Sequence, residues 1–200
     1  MRTLYVDLAG AEKLLALVGE KAVIGMSRVE DSRDEAAFLP QLEAFVRDAG
    51  CTLQDIERIA TIAGPGGFMT LRVQMSIVNA LAYGLNVPAA AVHASDVWKH
   101  RIQERDWMWL HSTKKTHMFA RGMGAYAARW PEPVLLSVEE AAHLPKQAAW
   151  AGELIPEHAA LLIGMQLIAN PRPVEAVLPD VVEQLSYDKK TLLPWYGRGA

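Results

Sequence analysis

The sequence predicts an α/β fold built as two mixed-sheet lobes, the second repeating the plan of the first. Three observations predict it. Three strand-like segments precede any helical one, strands and helices then alternate, and the second half repeats that order in weaker form.

Residues 3–9 (TLYVDLA) are rich in β-formers around one acid, Asp7. Residues 14–18 and 22–26 follow, separated by the turn Gly19-Glu20-Lys21. Ser32-Arg33-Asp34-Glu35 reads as a capping box. Behind it Phe38, Leu42, Phe45, Val46 and Ala49 fall at helical spacing, and Gly50 stops the helix. Thr52 caps a short turn with Asp55 at its third position. Residues 58–63 (RIATIA) read as a buried strand. Gly64-Pro65-Gly66-Gly67 then leads into a long helix over 69–85, ended by Pro88. Residues 89–94 (AAAVHA) form another apolar strand, and Ser95 caps a third helix with Asp96 in its first turn. The first half thus reads βββαβαβα.

In the second half, strands are predicted at 107–111, 117–121, 126–130 and 148–151. Pro131 and Pro133 break the chain, and Ser137-Val138-Glu139-Glu140 is a second capping box. Residues 174–185 read as the last helix, and the tail from Thr191, with Pro194, Gly197 and Gly199, as loose. The expected domains are 1–104 and 105–200, with the boundary near 103–106.

Composition narrows the function classes. Hydrophobic residues make up 51% of the chain, enough to bury a core, and the net charge of −3 is scattered. Lys114-Lys115 and Lys189-Lys190 do not make the basic stripe that grips phosphate backbones, so tight direct binding of nucleic acid is not expected. The single cysteine, Cys51, excludes an intrachain disulfide and fits a reducing compartment. No secretory-type segment opens the sequence and no apolar run is long enough for a bilayer, so a cytoplasmic location without membrane contact is expected.

The informative segment is residues 62–82, IAGPGGFMTLRVQMSIVNALA: strand, glycine-rich turn, helix. Glycines permit close backbone approach, and the helix N-terminus presents free N–H groups. Such a turn serves either as an anion cradle or as a tight packing corner. The helix behind it is apolar nearly all round, with only Arg72, Ser76 and Asn79 as a polar stripe. It must be buried on most faces, against the sheet and then against either the 38–49 helix or another molecule.

The stretch from Ala63 through Gly64, Pro65, Gly66, Gly67 and Arg72 to Val73 resembles the GPGSFTGLRIG signature of the TsaB (YeaZ) family. Ala80-Leu81-Ala82-Tyr83-Gly84-Leu85-Asn86-Val87-Pro88 resembles its GLAYALNIP, Leu135-Leu136-Ser137-Val138-Glu139-Glu140 its short LLSLEEL element, and Pro194-Trp195-Tyr196-Gly197-Arg198 its proline–tyrosine–arginine tail. The resemblance implies a duplicated actin-like (ASKHA, ribonuclease-H-like) fold. It also implies a non-catalytic paralogue of TsaD, pairing with that enzyme to transfer a threonylcarbamoyl group to N6 of the adenosine next to the tRNA anticodon. A TsaE-like ATPase belongs to the implied complex, ATP and metal sit on the partner subunits, and tRNA is contacted only indirectly. The family's pairing surface lies on the two helices of the first lobe. Leu39, Leu42, Val46, Met75 and Val78 are therefore the candidate interface centre, and the isolated chain is expected to form a homodimer through the same patch.

Departures mark a divergent member. Met69 and Thr70 stand where the signature has threonine and glycine, and His111-Ser112-Thr113 where the family often shows Asp-Ala-Arg. The alternative class is an enzyme in its own right, an actin-fold ATPase or a metallopeptidase. Against it, Asp7-Leu8-Ala9-Gly10 lacks a phosphate-binding hydroxyl, and the 34–49 helix lacks the paired histidines of TsaD-like proteins. His111 and His117 flank a hairpin turn, but two ligands fall short of the three or four a metal usually takes, and exposed strand-end residues are the plainer reading.

Overall fold

The computed structural model describes residues 1–29 and 35–197. The expected Ser32–Glu35 capping box rests on residues 32–34, and with Arg198 it lies outside the described residues. The chain divides into two compact units, Met1–Ala94 with Pro173–Tyr196, and Ser95–Arg172 with the segment from Gly197.

In the first unit β1 (Thr3–Asp7), β2 (Leu14–Val18) and β3 (Val23–Arg28) form an antiparallel meander. After α1 (Glu35–Asp48), β4 (Arg58–Gly64) joins β1 in parallel. After α2 (Phe68–Leu85), β5 (Ala89–His93) joins β4 in parallel. The sheet order is β3-β2-β1-β4-β5. Alternation sorts its side chains. Leu4, Val6, Leu8, Leu15, Leu17 and Ile59 face Phe38, Leu42, Phe45 and Val46 of α1 and Val78 of α2 in one core. Each such buried side chain stabilises by about 1.5–3 kcal/mol before the chain's entropy is counted.

The second unit repeats this topology. Its elements are α3 (Ala94–Arg101), β6 (Trp107–Lys114), β7 (His117–Met123), β8 (Val134–Ser137), α4 (Val138–Ala141), β9 (Ala149–Glu153), α5 (Pro156–Ala159) and β10 (Gln166–Leu167). β6, β7 and β8 are an antiparallel meander, and β9 and then β10 add in parallel on the other side of β6. Met108, Leu110, Met118, Ala120 and Trp150 form the core against Leu144 and Leu162. The Ser137 capping box is present in full: the Glu140 N–H donates to Ser137 Oγ at 3.2 Å and the Ser137 N–H to Glu140 Oε2 at 2.7 Å. The two units therefore share one strand order, a duplicated actin-like fold.

Several sequence expectations are corrected. The segment 126–130 is not a strand, because residues 124–128 wind into a 3-10 turn and the third strand is β8. Ser95 does not cap α3; it lies inside the helix, buried, where its hydroxyl accepts from Arg121 Nη1 at 2.8 Å. Arg121 also pairs with Asp96 at 2.7 Å, and Arg101 Nε donates to the Arg172 carbonyl. These bonds hold α3 within the second unit, so the division falls at 94/95 and not near 104. The last helix is shorter than expected, a 3-10 turn at Val174–Ala176 followed by α6 (Leu178–Glu183).

The largest correction concerns the C-terminal segment, expected to lie in the second lobe with a loose tail from Thr191. Pro173–Tyr196 belongs to the first unit. Leu178, Val181 and Val182 of α6 are buried, and Ala89 and Asp188 exchange both backbone hydrogen bonds. Residues 189–196 then run as a strap antiparallel to α2. Lys189 Nζ donates to Asn86 Oδ1 beyond the end of α2. The Asn79 amide, halfway along, donates to the Leu192 carbonyl at 3.0 Å and accepts from its N–H at 2.9 Å. The Trp195 N–H reaches the Ala63 carbonyl at 2.8 Å, just before α2 begins. Among the described residues no helix is long and apolar enough to cross a membrane.

Asn79→Ala removes both bonds to Leu192 and should lower unfolding stability by about 2 kcal/mol. Hydrogen exchange should quicken across residues 189–196 and stay unchanged in β1 and β4. Unchanged exchange in the strap would show that Asn79 does not hold it.

Candidate functional site

In an open sheet with parallel strands, ligands dock at the loops beyond the strands' carboxyl ends. In the first unit those loops follow β1 and β4. After β1 the Asp7 carboxylate turns back on its own loop: Oδ1 accepts from the N–H of Ala9 at 3.0 Å and of Gly10 at 2.8 Å. Burial raises the Asp7 pKa, the two backbone donors oppose that rise, and Glu12 adds to it. The Ala9 and Gly10 N–H groups are thereby taken by the chain's own acid.

The glycine-rich turn after β4 is packed against the same loop. Gly66 lies so close to Ala9 that an added Cβ would stand 2.8 Å from the Ala9 Cβ. Gly64 has φ +143, and a Cβ there would collide with the Trp195 carbonyl oxygen. Pro65 follows it through a cis peptide. Gly67, with φ −60, caps α2. The His93 ring meets Trp195 edge-on with centroids 4.4 Å apart. Gln74, which the sequence reading passed over, joins the two loops from below. It is fully buried; its Oε1 accepts from the Leu8 N–H and its Nε2 donates to the Ile62 carbonyl, both at 2.6 Å. The signal was an amide within an otherwise apolar helix face, three residues from Leu71 and four from Val78.

Beside this corner lies the outward face of α2. Phe68, Met69, Arg72, Ser76, Ala80 and Tyr83 are exposed along it, Met69 at 64% and Tyr83 at 90%. Four of the five residues expected at the interface centre are not on this face but buried. Leu42, Val46 and Val78 are 0% exposed and Met75 3%, because they are the residues that α1 and α2 turn inward. Only Leu39 of the five is exposed, at 52%. Helical spacing identified the apolar positions correctly but could not say which of two apolar faces met the sheet. Arg72 is exposed, with its guanidinium 5.4 Å from the Phe68 ring centroid.

In the second unit His111 and His117 do not face each other. His111 stands opposite Phe119 and is buried, whereas His117 is exposed and bonds Thr116 Oγ1 at 2.8 Å. No group of three or more metal-type side chains occurs among the described residues. Burial pulls the His111 pKa down to about 4. Glu153, 3.9 Å from Nδ1, would favour the charged ring, but at that distance it does not offset the lost hydration.

Fold and site define a duplicated actin-like protein whose first-unit loops are closed on themselves and whose second helix is open to solvent. Residues 32–153 match the family model described as TsaD, tRNA N6-adenosine threonylcarbamoyltransferase. The chain belongs to that family. It is 46% identical over 55 residues to the tRNA N6-adenosine threonylcarbamoyltransferase of Chromobacterium violaceum; that match covers 28% of this chain and 16% of that enzyme. Two Pseudomonas aeruginosa structures share the fold over the full chain. One, described as an uncharacterized protein similar to peptidase YeaZ, superposes with a TM-score of 0.71 at 18% identity, covering 98% of this chain and 99% of that one. The other, YeaZ, gives 0.69 at 18% identity with the same coverage.

Gly64→Ala should lower stability by more than about 2 kcal/mol, through positive φ and the clash with Trp195. Gly67→Ala, with only Thr70 Oγ1 nearby at 3.3 Å, should cost about 1 kcal/mol or less. Chemical denaturation of the two variants checks the ranking, and equal losses would contradict it.

His111 predicts a pH dependence. Its folded pKa lies below the unfolded value of 6.5, so the neutral ring's contribution is complete above pH 6.5 and declines as pH falls toward 4. The loss reaches about 3 kcal/mol at pH 4. Asp7, shifted upward, acts with the opposite sign, so the quantity to measure is wild type minus His111→Gln. That difference should shrink between pH 6.5 and 4; a constant difference would contradict the assignment.

Proposed function

We propose that this chain is a TsaB-type, non-catalytic subunit. It pairs with a TsaD-family enzyme through the outward face of α2 and supports that enzyme's transfer of a threonylcarbamoyl group to N6 of the adenosine next to the tRNA anticodon. The observation that carries the reading is the closed loop pair. Asp7 caps its own turn, and Gly64 and Gly66 are filled by Trp195 and Ala9, so the first unit keeps the family's fold without an open phosphate cradle. ATP and metal then belong to partner subunits, a TsaE-like ATPase among them. The net charge of −3 supports indirect contact with tRNA. In the absence of the enzyme, the same α2 face would pair two copies of the chain, in the cytoplasm.

Co-expression with the TsaD-family enzyme of the same genome, followed by size exclusion and a tRNA modification assay, tests the reading. A stable complex should form, and modification should require this chain. ATP turnover by the chain alone that disappears in Asp7→Ala would overturn it in favour of an enzyme in its own right.

A further inference from the structure

The exposed residues at the head of α2 are built into a stack. Phe68, 50% exposed, has two ring partners. Tyr196, the last residue of the first unit, tilts against its ring with centroids 5.0 Å apart and planes at 34°. Arg72, one turn along the helix, lies over the ring at 5.4 Å. Met69 projects beside them, 64% exposed. Among the described residues Arg72 makes no ion pair, so a positive charge sits within an apolar patch without a neutralising acid.

This arrangement has the character of a preorganised binding anchor. Aromatic rings and arginine dominate the few residues that carry most interface energy, and an anchor already ordered in the free protein loses less entropy on binding. Tyr196 is held in place from a distance. The strap is fixed at Asn79 and at Ala63, and the Trp195 backbone lies against Gly64, which delivers the next residue to Phe68.

We infer that the C-terminal strap is part of the partner-reading surface. Tyr196, Phe68 and Arg72 form one composite anchor that receives a helix of the TsaD-family enzyme carrying a carboxylate among apolar residues. The carboxylate follows from charge complementarity: burying Arg72 under a partner without an acid would strand its charge. The helix follows from the exposed face of α2 beside the anchor. The inference rests on the pairing reading above and adds to it the strap and the charge.

Affinity for the purified TsaD-family enzyme, by calorimetry, tests it. Tyr196→Ala should weaken binding by about tenfold and Arg72→Glu by about a hundredfold. Both side chains are exposed, so melting temperatures should hold. Lysine in place of the facing partner acid should restore binding to Arg72→Glu. Unchanged affinity in Tyr196→Ala, or failure of every acidic-to-lysine partner variant to rescue Arg72→Glu, overturns the composite anchor and leaves the pairing reading standing. No binding by the wild-type chain removes both.

Discussion

A helix apolar on nearly every side has to be covered on nearly every side, and the first unit is organised around that constraint. α2 turns Leu71, Met75 and Val78 inward. The strap runs along its flank, tied at Asn79. The third side, from Phe68 to Tyr83, stays open. Two coverings lie within the chain. Removing a large aliphatic from the inward side costs about 2–5 kcal/mol, more than a typical surface change, so the inward faces hold the fold.

Gln74 links that packing to the loops. A buried amide with both ends bonded is stable, but with one end free it leaves an unsatisfied group costing about 1–3 kcal/mol. Its bonds tie Leu8, in the loop after β1, to Ile62 near the end of β4. With Gly66 against Ala9 and Gly64 under Trp195, the corner is closed from three directions. The glycine-rich turn is thereby a tight packing corner.

The element order was legible because periodicity and punctuation are local. Gly50, Pro88 and the Ser137–Glu140 box end or begin elements where expected. The duplication, too, could be read from the order of segments. Failures came where long-range partners decide. Ser95 looks like a cap until Arg121, 26 residues away, claims its hydroxyl. The tail from Thr191 looks loose, with Pro194, Gly197 and Gly199, because its partners Asn79 and Ala63 lie more than a hundred residues earlier. Leu42 and Val78 share the character of Leu39 on paper, and only the sheet's position separates buried from exposed. The closed Asp7 turn was visible only as a missing hydroxyl.

The most direct test of the account is a hydrogen-exchange footprint of the chain with and without the TsaD-family enzyme. The account predicts protection gained over residues 68–83 and 189–196, with β6, β7 and β9 unchanged. Protection confined to the second unit, or none at all in a complex known to form, would contradict it.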